Sequence, residues 1–252
     1  MLWMVILGCF AVGAQSFEVA SIKPSDPDSQ GRWIRMQSAN QFAARNHTLK
    51  TLIAAAYNLH PHAISGGAEW VDSERYDILA RTPGASRPSL DEQLSMLRSL
   101  LEERFRLQFH RERKELSIYA LTVAKDGPKL KPPTPVTSPQ GAPPLVFVLS
   151  TQGASLPGRD ATMGELASVM QRALLDRPVV DQTGMSGRYD FDLEFLPDES
   201  QFGGLNRWQA VEGRPLPDLF AAVQRQLGLR LQATRGPVDT LAIDHAEKPS
   251  EN

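Results

Sequence analysis

One tripeptide, Arg-Tyr-Asp, occurs twice in the chain, as Arg75-Tyr76-Asp77 and Arg188-Tyr189-Asp190, and each occurrence opens a strand-like run. In the second run Tyr189, Phe191, Leu193 and Phe195 fall on one side of an extended chain, and Asp190, Asp192 and Glu194 on the other. The surroundings recur as well. With Trp33 set against Phe147 and no gaps, Arg45 falls on Arg159, Asn46 on Asp160, Thr48 on Thr162, Leu49 on Met163 and Leu52 on Leu166. Apolar matches arise easily by chance; a repeated tripeptide with matched polar caps does not. Such a chain is constrained to a fold that accepts one supersecondary unit twice.

Read in order, Phe17 to Ile22 is a first strand, stopped by Lys23-Pro24. Short strands follow at Trp33 to Met36 and Gln41 to Ala44. Asn46 or Thr48 caps a helix whose buried stripe is Leu49, Leu52, Ile53, Ala56 and Tyr57, ended by His60-Pro61. Ser65-Gly66-Gly67 reads as a turn and Tyr76 to Ala80 as a strand. Ser89-Leu90-Asp91-Glu92 is a capping box for a helix with Leu90, Leu94, Leu97, Leu101 and Phe105 on one face. Leu107 to Phe109 and Leu116 to Val123 read as a hairpin turning at the charged Arg111 to Lys114. The second half repeats this order. Thr162 to Glu165 is a capping box, and Leu216, Phe220, Val223 and Leu227 match Leu90, Leu94, Leu97 and Leu101, with Gly228 as the stop. Leu229 to Leu231 and Leu241 to Ile243 echo the hairpin. The expected fold class is α+β, internally duplicated, each half a mostly antiparallel sheet with two helices on one face. The expected boundaries are a signal segment at 1–16, repeats at 17–124 and 145–252, and a linker at 125–144, where seven of twenty residues are proline.

The apolar run Leu2 to Val12, followed by Ala14-Gln15-Ser16, fits an export signal cleaved near Phe17. Cys9, the single cysteine, lies inside it. Its removal would leave no thiol for disulfides, zinc or nucleophilic chemistry. The run is short for a membrane span. A net charge of -2 gives no electrostatic reason to expect nucleic acid as a partner.

Five stretches together carry a family resemblance: Phe17 to Pro24, Met96 to Phe105, Tyr119 to Leu130, Arg177 to Gly184 and Ile243 to Pro249. The chain resembles a large family of exported proteins of unknown function, expanded in soil acidobacteria. In some members a similar domain is joined to a membrane metallopeptidase of the β-lactam-sensor type. The resemblance implies an exported, free-standing domain of a sensing or binding kind, with no site residues to carry over.

Residues that could carry chemistry are sparse. His60-Pro61-His62 could offer two metal ligands but lacks a third at defined spacing, so no metal and no cofactor are expected. His110 alternates with Glu112, and His245 follows Asp244; either pair could orient a general base. Gly184-Met185-Ser186-Gly187 misses the nucleophile-elbow spacing, and a turn explains it better. The row Asp190, Asp192 and Glu194 is expected on a solvated sheet face. Trp33, Trp70 and Trp208 fall outside the clear helices, and Gly66 to Trp70 is the expected recognition loop, with Glu69, Trp70 and Trp208 as ligand-binding candidates. Arg75, Tyr76, Asp77, Arg188, Tyr189 and Asp190 form a structural motif, the tyrosines facing inward and the Arg and Asp outward. The expected function is an exported, non-catalytic binding or sensing module for an unknown small molecule, glycan or envelope protein. The alternative is an exported hydrolase using Asp, Glu and His groups between the halves.

Overall fold

The structure, a computed structural model, describes residues 15–29, 31–135, 144–203 and 215–250. In chain order its elements are β1 (Val19–Pro24), β2 (Trp33–Met36), β3 (Gln41–Thr48), α1 (Leu49–Ala56), β4 (Ile64–Gly66), α2 (Trp70–Ser73), β5 (Arg75–Arg81), α3 (Leu90–Arg104) and β6 (Gln108–Val123). They continue with β7 (Val148–Ser150), β8 (Gly153–Ala161), α4 (Met163–Ala173), β9 (Val179–Asp181), β10 (Tyr189–Phe195), α5 (Leu219–Ala222) and β11 (Leu229–His245). The class is α+β. Two sheets are antiparallel throughout, in the orders β1-β5-β3-β2 and β10-β8-β7. The third has the order β4-β11-β6-β9.

That third sheet joins the halves. β6 and β11 pair antiparallel along their whole length, from Leu229 opposite Val123 to His245 opposite Gln108. β4 adds in parallel to β11, and β9 adds in parallel to β6, so each three-residue strand pairs with the long strand of the other half. There are two cores. The first gathers Phe42, Leu49, Leu52, Ile53, Ile78, Leu97, Leu101 and Phe105 with Leu241 and Ile243 of β11. The second gathers Leu156, Met163, Leu166, Met170, Leu193, Phe195, Val223 and Leu229 with Leu121 of β6. Each core is therefore closed by a strand end from the opposite half.

Local sequence explains the helices. Thr48 caps α1 by accepting from the Thr51 N–H, and full capping boxes start α3 (Ser89 with Glu92) and α4 (Thr162 with Glu165). The helix that contains α5 continues through a wide turn at Val223–Leu227 and stops at Gly228, in the left-handed region (φ 65).

Several expectations change. The charged stretch Arg111 to Lys114 is no hairpin turn: β6 runs straight through it, and β11 likewise runs through from Leu229 to His245. The stretch has neither glycine nor proline, and its exposure reflects a two-stranded ribbon open to water. Ser65 and Gly66 lie in β4, and β1 continues through Lys23-Pro24. The ungapped alignment of the two stretches fails at its start. Trp33 pairs with Arg45, whereas the Arg159 N–H donates to the Pro144 carbonyl, so Pro144 takes the place expected for Phe147. The second helices match by burial as Leu97, Leu100, Leu101 and Phe105 against Leu219, Ala222, Val223 and Leu227, four residues from the expected register. A slip of about one helical turn leaves an apolar stripe in phase, so periodicity cannot detect it.

The described part of the proline-rich stretch is docked. Lys131 and Asp190 exchange both backbone hydrogen bonds (3.0 and 2.9 Å), and Lys129 N–H donates to the Leu227 carbonyl (2.8 Å). Lys131 thus sits against β10 as Lys23 sits opposite Asp77 on β5.

Because each core contains a strand end from the other half, the two cores should unfold together. Chemical denaturation followed by circular dichroism and by tryptophan fluorescence should give one coincident transition. Leu121→Ala and Leu241→Ala, both at 0% exposure, should each cost about 2–5 kcal/mol without splitting it.

Candidate functional site

The repeated tripeptide builds the same corner in both halves. At the junction of β3 and α1, Asn46 adopts a left-handed conformation (φ 60); at the junction of β8 and α4, Asp160 does the same (φ 51). Asp77 Oδ1 accepts from the Asn46 N–H (2.8 Å) and from the Ser25 hydroxyl (2.6 Å). Asp190 Oδ1 accepts from the Asp160 N–H (2.9 Å), and its Oδ2 accepts from the Thr134 N–H (2.9 Å) and hydroxyl (2.7 Å). Arg75 Nη1 donates to the Asn46 carbonyl (3.2 Å), while Arg188 pairs with the Asp160 carboxylate (3.1 Å). The aspartates were expected on a solvated face; instead Asp190 is buried, held by donors a residue-by-residue pattern cannot reveal. Hydrogen bonds from Asp160 and then Thr134 hold its carboxyl below the usual range. Tyr76 is buried and donates to Glu74 (3.0 Å), whereas Tyr189 is half-buried.

With core residues taking one face of each antiparallel sheet, the other face is open, and the two open faces differ. On the first, Lys23, Arg35, Arg45 and Arg81 are exposed around Leu79, which is 46% exposed, and Ala43. A shallow hollow of about 270 Å³ lies there, with Trp33 at its side. The Arg35 guanidinium lies 4.2 Å over the Trp33 ring. Among the described residues the Arg45 guanidinium donates to the Ser29 hydroxyl (3.4 Å) and forms no ion pair. On the second face Lys131 and Arg159 occupy the matching places beside a hollow of about 360 Å³. There Arg159 is consumed: it pairs with Asp192 (2.7 Å) and donates to the carbonyls of Gly158 (2.7 Å) and Phe191 (2.8 Å). Register places Leu79 where the second half has Asp192, since Leu79 lies opposite Ala43 and Asp192 opposite Pro157. These basic residues were not among the sequence candidates. The signal for them was available, as an apolar residue replacing a carboxylate at one matched position.

The sequence candidates are not brought together. Trp70 opens α2 with its ring against Tyr76 and Phe105 (centroids 6.5 Å each), partly buried at the first core. Glu69 is exposed beside it. Trp208 lies outside the described residues, as do Cys9 and most of the expected signal segment. His110 pairs with Asp244 across the ribbon (2.8 Å) and His245 with Glu247 (2.9 Å), all largely exposed. Among the described residues no group of three His, Cys, Asp or Glu side chains could hold a metal. No helix among them is long and apolar enough to cross a membrane.

Two histidines are buried for structural ends. His60 Nδ1 accepts from the His62 N–H (3.1 Å), which leaves Nε2 to donate to the Leu175 carbonyl (3.3 Å) at the end of α4. This neutral ring links the halves, and Asn58 adds a hydrogen bond to Ser168 (2.8 Å). Burial, helped by neighbouring His62, pushes His60 down to about 4. Burial, helped by Arg32, pushes His47 down to about 3. Unfolded histidine titrates near 6.5. Both rings therefore contribute stability that is full above pH 6.5 and lost as pH falls toward 4, because the unfolded chain then binds more protons. Urea midpoints measured between pH 7 and pH 4 should fall steadily, and His60→Leu should flatten that slope.

No curated protein and no solved structure matches the chain. A family model described as a protein of unknown function (DUF3738) matches residues 50–246. The match runs from within α1 past the end of β11, so it takes in the whole second core, while β1, β2 and β3, which bring Ile22, Met36 and Phe42 to the first core, lie outside it. The chain belongs to the DUF3738 family of proteins of unknown function.

Proposed function

We propose that this chain is an exported, non-catalytic binding module made of two copies of one α+β unit, with its partner site on the open face of the first sheet. The copy reading is supported by the shared order of strands and helices, the matched corners at Asn46 and Asp160, and the reciprocal placement of β4 and β9. The export reading rests on the apolar run Leu2 to Val12 and the small residues after it. The observation that carries the binding reading is the substitution of Leu79 for the carboxylate that neutralises the matching arginine in the other half. One scaffold thus presents a self-neutralised face and an unneutralised one. A hydrolase would need a protected acid–base pair, whereas the His110–Asp244 pair stands on an open ribbon with 58% and 48% of its side chains exposed.

Two measurements test this. Mass spectrometry of the native protein should find an N-terminus near Phe17; a soluble chain that retains Met1 contradicts export. Immobilised protein should retain a component of native envelope extract that Leu79→Asp, which restores the carboxylate of the second half, releases. Retention of nothing contradicts a binding module, and equal retention by the variant moves the site off this face.

A further inference from the structure

The open face of the first sheet carries four cations and one carboxylate. Lys23, Arg35, Arg45 and Arg81 form no ion pair among the described residues; Asp77 is held at the corner by Ser25 and Asn46 and keeps its charge, so the cations remain in excess on this face. The centre of the face is apolar, with Leu79 beside Ala43. An apolar centre ringed by an excess of cations complements a ligand with an apolar group flanked by negative charges. The span is also defined. β1 and β2 lie three inter-strand steps apart, about 14 Å, which is the reach of about four residues of extended chain.

Resting on the binding reading above, we propose that this face binds an acidic, extended peptide segment of a partner protein, with carboxylates two residues either side of an apolar residue. In an extended chain positions i, i+2 and i+4 point the same way, so the apolar side chain meets Leu79 while the two carboxylates reach cations on opposite sides. An acidic polysaccharide supplies the charges but has no apolar side chain for the centre. The second open face does not bind such a segment, because Asp192 already occupies Arg159 and would repel the peptide carboxylates.

The probe is a fluorescein-labelled peptide with the core Glu-Ser-Leu-Ser-Glu, titrated with the full chain and read by fluorescence anisotropy. Binding should weaken with added salt. Arg45→Gln and Leu79→Asp should each weaken it about tenfold or more, the scale of one charge-assisted hydrogen bond. Arg159→Gln, the matched change in the second half, should leave it unaltered, and circular dichroism should show each variant folded. Replacing the peptide leucine by serine should also cost about tenfold. The proposal is overturned if the peptide does not bind, if serine serves as well as leucine, or if polygalacturonate competes as well as the unlabelled peptide. If envelope retention depends on Leu79 and the peptide still fails to bind, the face is correct and the peptide assignment is not.

Discussion

The ladder between β6 and β11 holds the rest of the structure in place. It is the longest pairing in the protein, and each of its ends enters a different core. Where Leu241 and Ile243 complete the first core, the strand belongs to the second half; where Leu121 completes the second, it belongs to the first. Three-residue strands such as β4 and β9 are too short to be stable alone, and they persist by adding to a long strand of the other half. Between the cores the ribbon is exposed and charged, which a two-stranded ladder tolerates because its backbone groups satisfy one another. The halves are linked by hydrogen bonds made across the chain and by the apolar side chains that each strand end carries into the other half's core.

The second constraint is the corner where a strand becomes a helix. A left-handed residue there turns its N–H away from the ladder, and that donor needs an acceptor. Asp77 and Asp190 supply one, from the neighbouring strand, and Thr48 and Thr162 cap the helix two residues later. The corner thereby fixes the angle at which α1 and α4 leave their sheets and lays them on one face. The other face of each sheet remains uncovered as a consequence, and its side chains are free to vary in chemistry without disturbing the core.

That freedom is visible in the two open faces. Lys23 and Lys131, and Arg45 and Arg159, occupy matching places, yet Asp192 neutralises one face while Leu79 leaves the other basic with an apolar centre. Surface ion pairs contribute little to stability, so the loss of one carboxylate costs the fold little and changes greatly what the face attracts.

Much of the local structure was legible in the residues. Both capping boxes, a cap at Asn46 or Thr48 (Thr48 in the structure), the strand after each Arg-Tyr-Asp and the stop at Gly228 follow from short-range chemistry, in which side chain and backbone partners lie within a few residues. The helix register between the halves was not legible, because a slip of one turn preserves the stripe. Nor was the site, since Trp70 looks exposed in a loop until Tyr76 and Phe105 are placed against it. The sequence by itself determined the α+β class, the capping boxes that start α3 and α4 and the stop at Gly228. Only the tertiary structure decided that the charged Arg111 to Lys114 is mid-strand, that the aspartates cap a backbone turn, and that each half closes the other's core. The reason is physical: those outcomes depend on hydrogen-bond partners some 30 to 130 residues away, and no local preference encodes them.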